Sequence, residues 1–290
     1  MGAMNQVYRP LIAWIMFAGT ATAAPPSVAA HRGGASLMPE NTLPAFENAL
    51  RLGTGILEFD MNLTADDQIV LHHDVNVNPA ICAPVPGSAV TAGPIRRLNL
   101  AQIQQFDCGS QRTVARPNQA LSPGARMPKL EEFFRAVKGS QVLLLGETKM
   151  PPPDAGYLID PVRFVELIDR LVRKYRLEDR FILQSVDHRT IDAMRRKNPR
   201  VARCLLSARR FKPDYLAVAR EHGATHLMLT LGDTDAAGFQ QLKAAGLKIY
   251  SGTSNREAEW GEYVRLGFDA ILTDDPQAAI AFVKRSASGQ

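Results

Sequence analysis

The feature that most narrows the fold is an alternation of short apolar runs with capped amphipathic segments, sustained from about residue 28 to about residue 282. Eight runs read as strands. The first ends at His31 and the second, Gly55-Ile56-Leu57, ends at Glu58. The others are Val142 to Leu145, Phe181 to Gln184, Val201 to Leu206, His226 to Leu229, Leu247 to Ser251 and Ala270 to Leu272. Helix signals lie between most of them. Thr42 to Leu52 has Asn41 or Thr42 as its cap, Pro44 in its first turn and Gly53 at its end. Asp160-Pro161 opens a helix to about Arg176, and Asp187 opens another. Pro213 precedes one that stops at Gly223, Asp235 opens one ended by Gly246, and Asn255 opens one ended by Gly267. Such alternation implies parallel strands, and eight units imply an α/β fold closed as a (β/α)8 TIM barrel. A doubly wound open sheet has the same alternation. The glycine spacing of a dinucleotide fold, however, is missing after the first strand, where His31-Arg32-Gly33-Gly34 stands.

The chain ends and the cysteines bear on compartment. Arg9 precedes an apolar run from Leu11 to Phe17, too short to span a bilayer, and Ala21-Thr22-Ala23 offers the small residues of a cleavage site. Residues 1–24 are therefore expected to be a signal peptide and 25–290 the folded domain, exported to a periplasm or the medium with no membrane span after cleavage. In an oxidising compartment Cys82 would pair with Cys108, leaving Cys204 as a buried thiol in its apolar run. Closing that loop is worth roughly 3 kcal/mol on the chain-entropy model. The net charge of +5 is mild and spread out. It suits anionic ligands, but no basic run, RNA-binding aromatic motif or zinc-finger spacing points to nucleic acid.

The chemistry gathers between His31 and Asp74. Leu63-Thr64-Ala65-Asp66-Asp67 has turn composition between Glu58-Phe59-Asp60 and Ile69-Val70-Leu71. If the chain folds back around Asp66, residues whose numbers sum to about 133 face each other. That places His73 near Asp60, with Glu58 two residues along on the same face. Two carboxylates and an imidazole suit a metal site with a proton-transfer partner. His31-Arg32, Glu58, Asp60, Glu147, Lys149, Gln184-Ser185, Ser251 and Thr273-Asp274 all fall at C-terminal strand ends, where such barrels carry their sites.

His31-Arg32-Gly33, Pro39-Glu40-Asn41-Thr42, Glu58-Phe59-Asp60, Thr64-Ala65-Asp66 and His73-Asp74 resemble, in order and interval, the glycerophosphodiester phosphodiesterase family. Met127-Pro128-Lys129-Leu130-Glu131-Glu132-Phe133, Glu147-Thr148-Lys149, Gln184-Ser185 and Thr273-Asp274 with Pro276 extend the resemblance. It implies a barrel of the phospholipase C type, with residues 75–126 as an insertion over the mouth containing one amphipathic helix, Asn99 to Phe106. It also implies hydrolysis of glycerophosphodiesters such as glycerophosphocholine or glycerophosphoethanolamine to sn-glycerol 3-phosphate and an alcohol. Glu58, Asp60 and Glu147 read as ligands of one divalent cation, and hard oxygens suit Ca²⁺ or Mg²⁺ better than zinc. The competing reading of these carboxylates is a salt-bridged set with Arg32 and Lys149.

His31 and His73 are the expected general acid and base. Strand alternation turns His72 away, and the family motif puts the reacting imidazole directly before Asp74. His188, His222 and His226 read as structural. Arg32 would hold the phosphate with help from Lys149. Glu40 and Asn41 belong to the family's site, although Asn41 would also serve as a helix cap. Trp260 reads as core more readily than as a groove lining. Two departures, Val75-Asn76-Val77-Asn78-Pro79 after the His-Asp pair and Tyr250-Ser251-Gly252-Thr253 late in the chain, fall on the substrate side. Direct attack by water and attack through a cyclic phosphate both stay open. Rival readings are a lysophospholipase D-like or sphingolipid-directed enzyme on the same barrel, or a headgroup-binding barrel without catalysis.

Overall fold

The computed structural model describes residues 24–206 and 214–288. The apolar run Leu11 to Phe17, Ala21-Thr22-Ala23 and Pro213 lie outside the described residues. In chain order the elements begin with β1 (Ser27–Ala30), α1 (Leu43–Leu52), β2 (Ile56–Leu63) and β3 (Ile69–Leu71). The insertion holds β4 (Ala83–Pro84), α2 (Leu100–Ile103) and β5 (Phe106–Asp107). Next come α3 (Leu130–Val137), β6 (Leu143–Thr148), α4 (Pro161–Tyr175), β7 (Phe181–Ser185), α5 (His188–Lys197) and β8 (Ala202–Leu206). The chain continues with α6 (Tyr215–His222), β9 (His226–Leu229), α7 (Ala236–Ala244), β10 (Lys248–Ser251), α8 (Glu257–Leu266), β11 (Ala270–Thr273) and α9 (Pro276–Ser288).

Eight of these strands close into a parallel barrel. β1 pairs with β11, Ser27 opposite Ala270, and also with β2, Ala29 opposite Ile56. Every intermediate step from β2 through β6 to β11 is parallel. Period-2 alternation then sorts the side chains. Ala29, Ile56, Leu145, Ile182, Cys204, Met228, Tyr250 and Leu272 pack together along the barrel axis. Leu57, Phe59, Met61, Leu144 and Leu183 turn outward into the larger core beneath the helices. There the Phe133 ring packs between Phe46 and Phe59, with centroids 4.4 Å and 4.6 Å away. Gly146 lets β6 approach this cluster: a Cβ at that position would stand 2.9 Å from the rings of Phe59 and Phe181.

Several local expectations change. The β2–β3 hairpin pairs Met61 with Leu71 and Leu63 with Ile69, so facing numbers sum to 132 rather than 133. His72, not His73, follows in register, and its N–H donates to Asp60 O at 3.1 Å. β3 ends at Leu71, which frees His73 from the ladder. The helix expected over Asn99 to Phe106 stops after Ile103, because Phe106 turns to pair with Pro84. Asn255 does not open α8. The residue before that helix is Arg256, and Asn255 is instead bonded to Thr273 and Asp274. Trp260 is core, its indole N–H donating to Ser254 O at 2.9 Å.

The insertion has its own small core, in which Val77, Cys82, Ile95, Ile103, Phe106 and Cys108 pack against Val70 and Met127. Cys82 and Cys108 are joined by a disulfide, and Cys204 is a buried free thiol.

Candidate active site

Alternation along the strands carries the site residues inward. On β2, Ile56, Glu58 and Asp60 share one face, so the two carboxylates rise above the apolar axis toward the mouth. β6 brings Glu147 opposite Asp60, and β7 brings Gln184 opposite Glu147. One oxygen from each of Glu58, Asp60 and Glu147 lies within 4.8 Å of the others, and all three residues are buried.

The loop after β1 completes the site. Arg32, Gly33 and Gly34 all have positive φ, and a Cβ on Gly33 would lie 2.9 Å from that of Ala45. This tight turn aims the Arg32 N–H at Glu58 Oε2, 2.7 Å away. The Arg32 guanidinium donates to Glu40 Oε1 at 2.9 Å, and its Nε lies 3.5 Å from Asp60 Oδ2. Asn41 is not a helix cap. It sits at φ 55° and clasps Asp60, donating to Oδ2 at 2.8 Å and accepting from the Asp60 N–H at 3.1 Å. Thr42 takes the position before α1, but its hydroxyl donates to Pro39 O rather than accepting from the helix.

His31 Nδ1 lies 2.7 Å from Asp274 Oδ1, and Asn255 donates to the other oxygen of Asp274 at 2.9 Å. Burial pulls the His31 imidazole toward neutrality, but Asp274 and Glu58 outweigh it and hold its pKa above the ordinary value. Asp274 is held down to about 2 by its bond to His31, against the opposing effect of burial. His73 pairs with Asp74 at 2.8 Å and acts electrostatically on both Asp60 and Glu147. His72 is buried and faces elsewhere, with Nε2 accepting from the Asn78 N–H at 3.2 Å. His188 and His222 form a chain with Asp192 between α5 and α6, and His226 packs on Tyr250.

Lys149 Nζ bridges Asp60 at 3.0 Å and Glu147 at 2.8 Å, so the salt-bridged set with Arg32 and Lys149 is present in part. It does not satisfy Glu58. Both hydrogen-bond donors to Glu58, the Arg32 N–H and the Gln184 amide, are uncharged. Burial and the neighbouring Asp60 therefore push this carboxyl up to about 8. Among the described residues, the buried Gln184 amide oxygen has no hydrogen-bond partner. A fully buried carboxylate with only uncharged hydrogen-bond donors among the described residues, beside two other carboxylates and an orphaned amide oxygen, is a donor set that fits a hard divalent ion.

Comparison with known proteins agrees with this geometry. The model of the glycerophosphoryl diester phosphodiesterase family matches residues 31–278. The chain belongs to that family. It is 26% identical to a glycerophosphodiester phosphodiesterase of Caldanaerobacter subterraneus, over 89% of this chain and 98% of that one. It is 23% identical to a lysophospholipase D of Homo sapiens, over 85% and 82%. A crystal structure of a Silicibacter pomeroyi protein classed with the glycerophosphoryl diester phosphodiesterases superposes with a TM-score of 0.82 at 26% identity, covering 92% of this chain and 96% of that one. An Oleispira antarctica phosphodiesterase, solved with the product sn-glycerol-3-phosphate, shares the fold with a TM-score of 0.73 at 22% identity, covering 90% and 97%.

For a phosphodiesterase of this family, the sequence motifs located Arg32, Glu40, Asn41, Glu58, Asp60, Glu147 and Lys149 in one connected cluster. Motifs and strand ends placed Asp274 and Gln184 at the mouth without giving either a role, and Asn255 was read only as a helix start. Asp274 directly precedes the acidic and proline residues that open α9, so its composition resembles an ordinary cap. Arg116, which bonds Glu40 from the insertion, carried no sequence signal at all.

Proposed function

We propose that the chain hydrolyses glycerophosphodiesters such as glycerophosphocholine or glycerophosphoethanolamine to sn-glycerol 3-phosphate and an alcohol, using one divalent cation, Ca²⁺ or Mg²⁺. The observation that carries this reading is the buried Glu58, Asp60 and Glu147 triad with His31, His73 and Arg32 around it. The three carboxylates would hold the cation, which when bound supplies charge stabilisation at the phosphoryl oxygens. Arg32 and Lys149 offset negative charge on the phosphate. Hydrolysis needs one proton removed from the nucleophile and one given to the departing alcohol. His31, whose proton Asp274 and Glu58 favour, suits the donor role, and His73 then takes the nucleophile's proton. Residues 1–24 are proposed to be a cleaved signal peptide and 25–290 the exported enzyme, in a periplasm or the medium. A tied pair such as Cys82 and Cys108 is in keeping with that compartment.

One observation favours a second substrate. Leu158, Val186 and Leu231 are exposed on the segments that follow barrel strands β6, β7 and β9, and Val114 is exposed in the insertion. Such a rim would tolerate the acyl chain of a lysophospholipid, in line with the lysophospholipase D relative. Product analysis separates the two. Purified mature protein is expected to release glycerol 3-phosphate from glycerophosphocholine faster than it releases choline from lysophosphatidylcholine. The reverse order would transfer the proposal to lysolipids, and release from neither would end it.

A further inference from the structure

Glu40 is almost fully buried and carries two guanidinium groups, one on each oxygen. Arg32 takes Oε1 at 2.9 Å, and Arg116 takes Oε2. Arg116 also places Nη2 3.9 Å from Asp274 Oδ1, the oxygen that holds His31. Its side chain is only 17% exposed. One residue of the insertion therefore touches the carboxylate that aims the phosphate-holding arginine and approaches the carboxylate that orients His31.

The loop that delivers Arg116 is built to fix it. Residues 108–125 leave and return through a narrow neck, where the Cys108 N–H donates to Ala125 O at 2.7 Å and the Ser122 N–H to Gly109 O at 2.9 Å. Asp107 caps the neck, accepting from the N–H groups of Gly109, Ser110 and Gly124. A Cβ on Gly109 would stand 1.8 Å from Ser122 O, so only glycine fits there. Cys108, at the base of the neck, is tied to Cys82. At the far end Gln119 is buried and donates to Ala35 O at 2.7 Å and Met38 O at 3.0 Å, seating the loop on the turn that follows His31.

We propose that Arg116 is a positioning residue of the active site, which fixes Glu40 and through it Arg32, flanks the Asp274 partner of His31, and depends for its seat on the disulfide-tied neck. This rests on the phosphodiesterase reading above. The charge belongs there for a physical reason. With Arg116 gone, one oxygen of a buried carboxylate would lose its donor, and Glu40 would be free to draw Arg32 away from the phosphate.

The test compares wild type, Arg116→Ala and Arg116→Lys by glycerophosphocholine kinetics, calorimetric binding of sn-glycerol 3-phosphate, and thermal unfolding. Arg116→Ala should lower kcat/KM roughly ten- to a hundred-fold and weaken product binding about tenfold, as expected for a lost buried charged hydrogen bond. Its melting temperature should move by no more than about 4 °C. Arg116→Lys should recover part of both losses, since it restores charge but not the two-armed donor. Reduction of the disulfide should slow the wild type and leave Arg116→Ala unchanged, because both act on one seat. Wild-type kinetics and binding in Arg116→Ala would overturn the inference. So would a lysine variant no better than alanine, or additive losses on reduction. A wild type that binds product but releases none would sink the phosphodiesterase reading alone, and Arg116 would then be judged on binding.

Discussion

At the scale of single residues, the site is a set of charges that the fold holds against their preference for water. The His31 and Asp274 pair makes a signed prediction. The His31 imidazole is raised above 6.5 in the folded protein, so its stabilisation is present below that pH and is lost as pH climbs through the raised value. Asp274 is lowered from 3.8 to about 2, so its stabilisation is present above 3.8 and is lost as pH falls toward 2. The melting-temperature gap between wild type and Asp274→Asn should therefore be widest between about pH 4 and pH 6.5 and shrink on either side. A gap constant across pH would show that the pair is not linked as described. Glu58 behaves in the opposite sense. Its folded carboxyl is raised from 4.5 to about 8, so the cation-free protein loses stability as pH rises across that interval. Cation-free Glu58→Gln should thus be more stable than wild type at pH 8, match it below pH 4.5, and be inactive. An equal or lower melting temperature at pH 8 would contradict the account. His31 and Asp274 were legible because each directly follows an apolar strand run, whereas Glu58, expected at a strand end, lies inside β2, which runs on to Leu63. Asn41 was harder to read, because a helix cap and a clasp on Asp60 call for the same side chain.

At the scale of elements, the eight barrel strands were legible because each is an apolar run bounded by polar or glycine residues, and β7, β9 and β10 fall within a residue or so of expectation. Register was less legible. Turn composition around Asp66 does not determine whether facing numbers sum to 132 or 133, since Asp67 adopts a positive φ that composition alone does not announce. The slip puts His72 rather than His73 opposite Asp60, and His73 stands beyond β3, which stops at Leu71. The insertion was read least well. The Cys82–Cys108 bridge was legible from cysteine usage, but the pairing of β4 with β5 is encoded by no local periodicity. Removing that bridge by Cys82→Ser with Cys108→Ser should cost about 3 kcal/mol, visible as a lower denaturant midpoint. An unchanged midpoint would mean that the insertion's apolar core alone holds it. At Gly146, alanine should cost about 1–3 kcal/mol by pressing on Phe59 and Phe181.

At the scale of the whole molecule, a closed parallel barrel does what no single element could. It brings side chains from β2, β6 and β7, and from the loops after β1 and β11, to one point above an apolar axis. The family resemblance and the strand-end rule converge on that point from independent evidence, one from motif order and the other from hydrophobic patterning. No helix among the described residues is long and apolar enough to cross a membrane. The most direct test measures glycerol 3-phosphate released from glycerophosphocholine after EDTA treatment, and again with Ca²⁺ or Mg²⁺ restored, beside a folded His73→Ala variant. The account predicts no release in EDTA, recovery with at least one of the two cations, and a loss of roughly a hundred-fold or more in the variant. Full release in EDTA, or an unimpaired His73→Ala, would contradict it.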